Sequence, residues 1–306
     1  MNQLPPRSVA LHIGAHKTAT THLQRSLVMQ KEALIKAGVR YYGPDMLRRP
    51  KRSLGDVFGL EACVSAPSPT RSRAEQADFM FKDGHRLILS DENFVGVLHN
   101  KHGGILSPLY PMAAERVQDL AEAIDAGPID VFIGVRNPAS FLVSAYGQAL
   151  LGGNLITFDD YTTRNPLAQI YWPGLVARLS QCSAVGRIFV WQYEDYRWRF
   201  HKICAAMMGE AVDMRIVPIA EHVNRGLSAA AVQHVLDNAQ SMDAQRLGGG
   251  HVDVLGLIVG GDGLVAQRLA GVAGGGGHAG DKGEARGVAT VLESRDQLNV
   301  LRARRV

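Results

Sequence analysis

Cysteine is scarce in this sequence of 306 residues, and the three that occur are far apart, at Cys63, Cys182 and Cys204. So few, in an odd number, they predict neither a disulfide framework nor a zinc site. No apolar run approaches the roughly 18 residues of a membrane-spanning helix, and we recognise no signal peptide. A formal net charge of +4 is too weak to indicate nucleic-acid binding. These absences lead us to expect a soluble cytoplasmic protein without a metal centre.

Aromatic residues are absent after Phe200, and residues 248–287 contain 15 of the 33 glycines. A segment so rich in glycine is costly to order and has little apolar surface to bury. We therefore divide the chain into an α/β domain over residues 1–247 and a glycine-rich segment over residues 248–306, which we expect to be poorly ordered.

Strand-like and helix-like segments alternate through the first part of the chain. Short apolar runs predict strands at residues 9–13, 39–42, 87–90, 129–136 and 187–191. Helical periodicity predicts helices over about 19–37, 112–125 and 138–151. This alternation is typical of an α/β fold with a parallel sheet. We predict a three-layer α/β/α architecture around a central parallel sheet, with a strand–phosphate loop–helix unit at the N-terminus as in P-loop NTPases.

The segment HIGAHKTATTHLQ, residues 12–24, joins the first strand to the first helix. A turn that contains glycine at this place directs backbone N–H groups at an anion, and the helix dipole adds to the attraction. Lys17 adds a positive charge, and three hydroxyl residues follow it: Thr18, Thr20 and Thr21. His16 stands before Lys17 where the GxxxxGK[ST] pattern requires glycine, which counts against ATP or GTP with magnesium. The alternative is a helix N-terminus capped by threonine by chance.

This segment resembles the 5′-phosphosulfate loop of sulfotransferases that use 3′-phosphoadenosine 5′-phosphosulfate (PAPS), whose core is KTGTT or KSGTT. It is most similar to bacterial-type members, which commonly show HIGxxKTGTTxLQ. The resemblance implies that PAPS is bound by seven residues of the loop: Gly14, His16, Lys17, Thr18, Ala19, Thr20 and Thr21. Ala19 replaces a glycine of the family, and this change weakens binding if the position requires a positive φ.

A second motif, VRNPASFLVSAY, ends the strongest predicted strand. Arg136 lies at the carboxyl end of that strand, where open α/β sheets bind ligands, and Ser144 follows eight residues later in the next helix. This pair resembles the Arg and Ser that hold the 3′-phosphate of PAPS in sulfotransferases. Arginine supplies a charged fork and serine a hydroxyl two turns along the same helix face. Alternatively, Arg136 only ends a strand and Ser144 lies on a helix surface.

The resemblance also implies two catalytic residues. In an in-line sulfuryl transfer, Lys17 would stabilise the leaving phosphate oxygen. In LILSDENF, Ser90 and Glu92 match the S-x-E pattern of bacterial-type members, so Glu92 is the candidate general base, and we expect burial beside the substrate to raise its pKa.

Other interpretations of the LILSDENF segment stay open. Asp91 is the nearest rival to Glu92, although we expect its side chain to point elsewhere. Three histidines compete for the role of base: His16, His99 and His102. The SDEN stretch is also typical of a helix cap, and both roles can hold at once.

The acceptor side of the site is less marked. The basic stretch RRPKR at residues 48–52 suits an acidic acceptor, although such charge runs are commonly solvated. Residues 152–174 offer three rings that suit a sugar or, equally, ordinary packing: Tyr161, Tyr171 and Trp172.

From these residues we predict a PAPS-dependent sulfotransferase without a metal, acting on a hydroxyl of a carbohydrate, lipid or small metabolite. We predict no nucleic-acid partner, and the sequence leaves the oligomeric state open. The alternatives are an ATP-dependent kinase of the P-loop type and a non-catalytic nucleotide-binding relative.

Overall fold

The computed structural model describes residues 6–63, 69–220, 226–245 and 299–302. The strands are β1 (Ser8–His12), β2 (Val39–Tyr42), β3 (Arg86–Ser90), β4 (Ile129–Val135), β5 (Val185–Gln192) and β6 (Asn299–Arg302). They form one sheet in the order β2-β3-β1-β4-β5-β6. The first five strands pair in parallel, and β6 pairs with β5 in the antiparallel direction. The predicted α/β fold with a central parallel sheet is therefore confirmed, and β6 is an addition that the sequence did not predict.

Helices cover both faces of this sheet. They are α1 (Thr20–Val28), α2 (Lys31–Lys36), α3 (Pro44–Leu47), α4 (Leu54–Phe58), α5 (Arg73–Phe81), α6 (Ala113–Ile124), α7 (Pro138–Leu151), α8 (Phe158–Arg164), α9 (Trp172–Gln181), α10 (Tyr196–Met208) and α11 (Ala229–Gln245). Short 3₁₀ turns lie at Glu92–Val95, Leu167–Gln169 and Tyr193–Asp195. In the part of the chain that the structure describes, no helix is long and apolar enough to cross a membrane.

Two apolar layers hold the helices to the sheet. Because side chains alternate along a strand, Val131 and Ile133 of β4 enter one layer while Phe132 enters the other. Phe132 stacks on Phe189 of β5, with ring centroids 4.4 Å apart. Helices α1, α2 and α10 pack on the Phe132 side, and α3 to α9 with α11 pack on the other. The sheet is thus the middle of three layers, and its central strands are buried on both faces.

One expectation about chain organisation differs from the structure. The single helix predicted over about 19–37 is divided into α1 and α2 at Met29 and Gln30, and α2 ends just before Gly38, whose φ is +75°. Most of the glycine-rich segment lies outside the described residues. Within it, Asn299–Arg302 form β6, and the poor order expected of the segment stays a prediction.

Candidate functional site

The loop between β1 and α1, residues 13–19, lies at the carboxyl end of a central strand. Two backbone hydrogen bonds fix it to β4: the N–H of Ile13 donates to the carbonyl of Phe132, and that of Ala15 to Gly134, both at 3.0 Å. Strands β3 and β4 flank β1 and run parallel to it, so the segments after both strands lie on either side of this loop. The fold thereby brings the three sequence motifs to one edge of the sheet.

The loop backbone has an unusual conformation. Gly14, Lys17 and Ala19 have φ of +62°, +65° and +63°. Alternation of left-handed and ordinary residues turns successive N–H groups to one side and forms a concave anion-binding surface. Within the described chain, the N–H groups of residues 17–20 have no hydrogen-bond acceptor. These four donors lie at the N-terminus of α1, where the helix dipole also favours an anion.

Gly14 is required at its position by close packing as well as by its positive φ. A Cβ atom there would lie 2.6 Å from Thr20 Cγ2 and 3.1 Å from Glu92 Cβ. The start of the loop is therefore in direct contact with both α1 and the segment after β3.

Ala19, which stands where the loops that this segment resembles have glycine, is the N-cap of α1 with φ +63° and ψ +22°. The sequence led us to expect weaker cofactor binding if this position has a positive φ, and the structure gives it one. The alanine adopts it nevertheless, and this conformation is unfavourable for a residue with a side chain.

Lys17 and Arg136 bring two positive charges together. The Arg136 guanidinium donates from Nη1 to the Lys17 carbonyl and from Nε to Ser140 Oγ, each at 3.0 Å, and it lies 4.3 Å from the Tyr193 ring centroid. Burial, and secondly the charge of Arg136, lower the pKa of the half-buried Lys17 ammonium. Neither side chain has an ion pair among the described residues.

The two motifs predicted to bind one cofactor are thus in direct contact through Arg136 and the carbonyl of Lys17. Ser144 is half-buried on α7, one helical turn beyond Ser140, and its hydroxyl makes no hydrogen bond within the described chain. Its hydroxyl lies on the same face of α7 as the Ser140 hydroxyl that Arg136 contacts.

His16 contacts two neighbouring side chains. Its N–H donates to Tyr110 Oη at 3.1 Å, its Nδ1 lies 2.9 Å from the same oxygen, and its Nε2 lies 2.9 Å from Asn93 Oδ1. These contacts engage the backbone N–H and both ring nitrogens and hold the loop in place, and a role of His16 in cofactor binding stays a prediction. Nearby, Thr18 Oγ1 donates to the Ala15 carbonyl at 2.6 Å, while Thr20 is buried and Thr21 half-buried.

Glu92 is buried directly after β3, and both of its carboxylate oxygens have partners. Arg48 Nη2 lies 2.7 Å from Oε1, and Gln24 Nε2 donates to Oε2 at 2.9 Å. Burial is the strongest single influence and raises the pKa of Glu92, but the hydrogen bond and charge of Arg48 together with Gln24 outweigh it. The pKa is lowered, so the expectation of a raised pKa was wrong; the carboxyl is ionised at neutral pH.

The Asp91 side chain contacts the same arginine, Arg48, contrary to the expectation that it points elsewhere. Arg48 Nε and Nη2 donate to Asp91 Oδ1 at 3.0 and 2.8 Å. The same oxygen accepts from the Asn93 N–H and so caps the 3₁₀ turn, which confirms the helix-cap interpretation of SDEN. Burial raises the pKa of Asp91, with the charge of Arg48 opposing it.

A buried polar network continues from Glu92 beneath the loop. Gln24 Nε2 also lies 3.3 Å from Ser90 Oγ, which in turn is 2.7 Å from His12 Nδ1. The His12 ring stacks on Trp191 with centroids 5.8 Å apart. Burial lowers the pKa of His12 to about 4, so this histidine is neutral at physiological pH.

The other two histidines proposed as bases differ in their positions. His99 is half-buried with Nε2 2.8 Å from Tyr161 Oη, and burial, then the charges of His16 and Lys17, lower its pKa to about 4. His99 is therefore neutral and close enough to Lys17 to interact with its charge. His102 is exposed, and its backbone N–H donates to Asn100 Oδ1 at 2.9 Å.

The rings considered as acceptor walls are mostly part of the core. Trp172 is 7% exposed and donates from Nε1 to the Arg136 carbonyl at 2.7 Å, and Tyr161 is fully buried. Tyr171, at 63% exposed, is accessible. Ordinary packing therefore accounts for Trp172 and Tyr161, and Trp172 additionally fixes the backbone that carries Arg136.

Sequence reasoning missed four residues of this site: Gln24, Arg48, Asn93 and Tyr110. Two of them had a signal, because Gln24 ends the HIGAHKTATTHLQ motif and Asn93 belongs to SDEN. Arg48 was noted only as part of a basic stretch, and Tyr110, 94 residues from His16, had no local signal.

No protein-family model and no curated protein matches this chain. Among solved structures, a sulfotransferase from Alicyclobacillus acidocaldarius is similar, with 16% sequence identity and a TM-score of 0.41. The alignment covers 80% of this chain and 95% of that chain.

Proposed function

We propose that this protein is a PAPS-dependent sulfotransferase that acts on a hydroxyl group of a carbohydrate, lipid or small metabolite. The proposal depends on one observation: the four N–H groups of residues 17–20 have no acceptor within the described residues, and the cationic Arg136 contacts the same loop through the Lys17 carbonyl. The acceptor and a cytoplasmic location remain predictions from the sequence.

The residues present suit the two anionic ends of PAPS. The loop N–H groups and the Lys17 ammonium would hold the 5′-phosphosulfate, because they lie at a helix N-terminus and have no partner within the described residues. Arg136 and Ser144 would hold the 3′-phosphate, since a guanidinium binds phosphate with a charged fork and the Ser144 hydroxyl makes no hydrogen bond in the described part of the chain. His16 is not part of this proposed set, since its backbone N–H and ring nitrogens already contact Tyr110 and Asn93.

When bound, PAPS supplies the sulfuryl group, and the protein supplies charge and proton acceptance. In the transfer, the acceptor oxygen would bond to sulfur as the bond between sulfur and the bridging phosphate oxygen broke. Lys17 would stabilise the negative charge that develops on the bridging oxygen, and Glu92 would take the proton of the acceptor hydroxyl. Because Glu92 is ionised at neutral pH, it can accept that proton without prior deprotonation.

The kinase alternative is disfavoured by a specific contact. A magnesium-dependent kinase needs carboxylates near the phosphate loop to hold the ion. Here Asp91 and Glu92 are both bound by the guanidinium of Arg48, so these carboxylates already have a cationic partner. The non-catalytic relative shares the binding site and differs only in turnover.

Calorimetric titration with adenosine 3′,5′-bisphosphate, beside ATP with magnesium, tests the proposal. We expect the wild type to prefer the bisphosphate and Arg136→Ala to lose about tenfold or more in affinity, because a hydrogen bond to a charged group is worth about 1.5–3 kcal/mol. Arg197→Ala is the matched control, since Arg197 is exposed on α10 and lies over Trp198. Binding of ATP alone, or an equal loss in both variants, would contradict the proposal. Bisphosphate binding without sulfuryl transfer to any acceptor would identify the non-catalytic relative.

A further inference from the structure

Arg48 makes the most extensive contact with the two carboxylates of the site, although it comes from a distant part of the sequence. It follows α3, and its single Nη2 lies 2.7 Å from Glu92 Oε1 and 2.8 Å from Asp91 Oδ1. Its Nε donates to the same Asp91 oxygen at 3.0 Å. The side chain is 37% exposed, whereas those of its two partners are 8% and 11% exposed. One guanidinium at the surface thus pairs with two buried carboxylates.

The other titratable neighbours of Glu92 do not supply a positive charge as Arg48 does. The titratable groups that face Glu92 are His12 of β1, His16 of the loop, Tyr41 of β2, Tyr110 and Asp91. Burial lowers the pKa of both histidines and raises the pKa of both tyrosines, so all four are neutral at neutral pH. None of these five neighbours therefore carries a positive charge, whereas the charged guanidinium of Arg48 lies 2.7 Å from Glu92 Oε1.

The contact also fixes the direction of the Glu92 carboxylate. Arg48 holds Oε1 from the surface side, Gln24 of α1 holds Oε2, and the Glu92 Cβ lies against Gly14 at the start of the loop. With both oxygens held, the carboxylate cannot rotate without losing one charged or one amide hydrogen bond.

We propose that Arg48 is a positioning residue of the sulfuryl-transfer site, which keeps the Glu92 carboxylate ionised and fixed beside the anion loop. This role rests on the proposed function and deepens it. Loss of Arg48 would leave two neighbouring carboxylates buried without a counterion, and one of them would take up a proton as the pH falls. A protonated Glu92 cannot accept the proton of the acceptor hydroxyl.

Arg48→Gln and Arg48→Lys test this role, with Arg49→Gln as the matched control. Arg49 is the next residue of the same basic stretch, is exposed, and donates to the Asp45 carbonyl instead of to either carboxylate. The titration of Glu92 is followed by carbon-13 NMR of protein labelled at the glutamate carboxyl, with Glu92→Gln to assign the signal. Bisphosphate binding is measured in parallel by calorimetry.

The rate is measured without an identified acceptor, as slow transfer from PAPS to water. Water oxygen bonds to sulfur as the bond to the bridging oxygen breaks, and the products are adenosine 3′,5′-bisphosphate, sulfate and two protons, one of which stays on the 5′-phosphate at acidic pH. In Arg48→Gln we expect the Glu92 titration and the acid limb of the rate to move to higher pH. The rate at pH 5.5 should fall about tenfold relative to Arg49→Gln, with a much smaller change at pH 8. Arg48→Lys should lie between, because lysine keeps the charge but not the fork.

Two outcomes would overturn the inference: a Glu92 titration identical in Arg48→Gln and Arg49→Gln, or a rate reduced equally at every pH with that titration unmoved. The second would mean that Arg48 only supports the fold. Absence of bisphosphate binding in the wild type would refute the proposed function separately, and the NMR titration would still decide whether Arg48 controls Glu92. If Arg48→Gln does not fold, Arg48→Lys compared with Arg49→Lys decides by the same criterion.

Discussion

Substitution of Ala19 by glycine gives a direct measure of the strain in the anion loop. Ala19 has φ +63°, a left-handed conformation that is unfavourable for residues with a Cβ by roughly 1–2 kcal/mol. Glycine removes this strain, but it also makes the unfolded chain more flexible and so lowers the free energy of unfolding by about 0.4–1 kcal/mol. A comparison that cancels the second effect is therefore needed.

Ala37→Gly provides that comparison. Ala37 is half-buried like Ala19 but has φ −83°, an ordinary conformation, so only the unfolded-state effect and the lost methyl contacts apply. We expect Ala19→Gly to have a free energy of unfolding about 1–2 kcal/mol higher than Ala37→Gly. Urea denaturation with equal slopes for both variants would measure the difference. If Ala19→Gly is no more stable than Ala37→Gly, the left-handed backbone at Ala19 is unstrained and the reasoning is wrong.

The same variant separates stability from affinity. Ala19 has the left-handed conformation without any ligand, so its strain lowers the free energy of unfolding equally in the free and the bound protein. We therefore expect Ala19→Gly to leave the affinity for adenosine 3′,5′-bisphosphate unchanged. A large gain in affinity would instead mean that the alanine keeps the loop from its binding conformation.

Two further predictions concern the base of the loop. Gly14→Ala places a Cβ 2.6 Å from Thr20 Cγ2 at φ +62°, so we expect urea denaturation to show a loss of about 1–3 kcal/mol, and full stability would contradict this packing. His12 has a pKa of about 4 when folded against 6.5 as its ordinary value, so between these pH values the unfolded chain binds more protons and the free energy of unfolding falls as the pH falls. His12→Asn, whose amide can still contact Ser90, should show a smaller fall between pH 6.5 and 4.5, and an unchanged pH dependence would refute this assignment.

Much of the fold could be predicted from the sequence because its determinants are local. The strand at Ile129–Val135 is a nearly continuous apolar run, and the helix at Pro138–Leu151 begins after a capping asparagine, with proline at its first position, and ends before glycine. The edge strand β6 was missed because its four residues carry no comparable pattern and pair with β5 more than 100 residues away. Local sequence was thus enough to predict these helices and strands, whereas the edge strand depends on long-range pairing with β5.

The site was predictable to the extent that one segment forms it. Lys17 and the loop N–H groups follow from the motif, and the contact between Arg136 and Lys17 follows from parallel strands that end at the same edge. The sign of the pKa change at Glu92 was not predictable, because burial could be expected but the partner, Arg48, lies 44 residues earlier. The contact between His16 and Tyr110 likewise could not be predicted, because no local sequence pattern indicates it.

The distribution of charge around the loop connects the fold with the proposed reaction. On one side, Lys17 and Arg136 carry two positive charges without an ion pair in the described chain, so an incoming anion need not displace a carboxylate. On the other side, Asp91 and Glu92 share a single arginine, which leaves the group one negative charge in excess when both are ionised. In the proposed reaction, a proton released by the acceptor would be attracted to the carboxylate side, and the leaving anion would be stabilised on the cationic side. Transfer of an anionic group from the loop to a hydroxyl would suit this distribution, since each charge that develops would lie beside protein groups of the opposite charge.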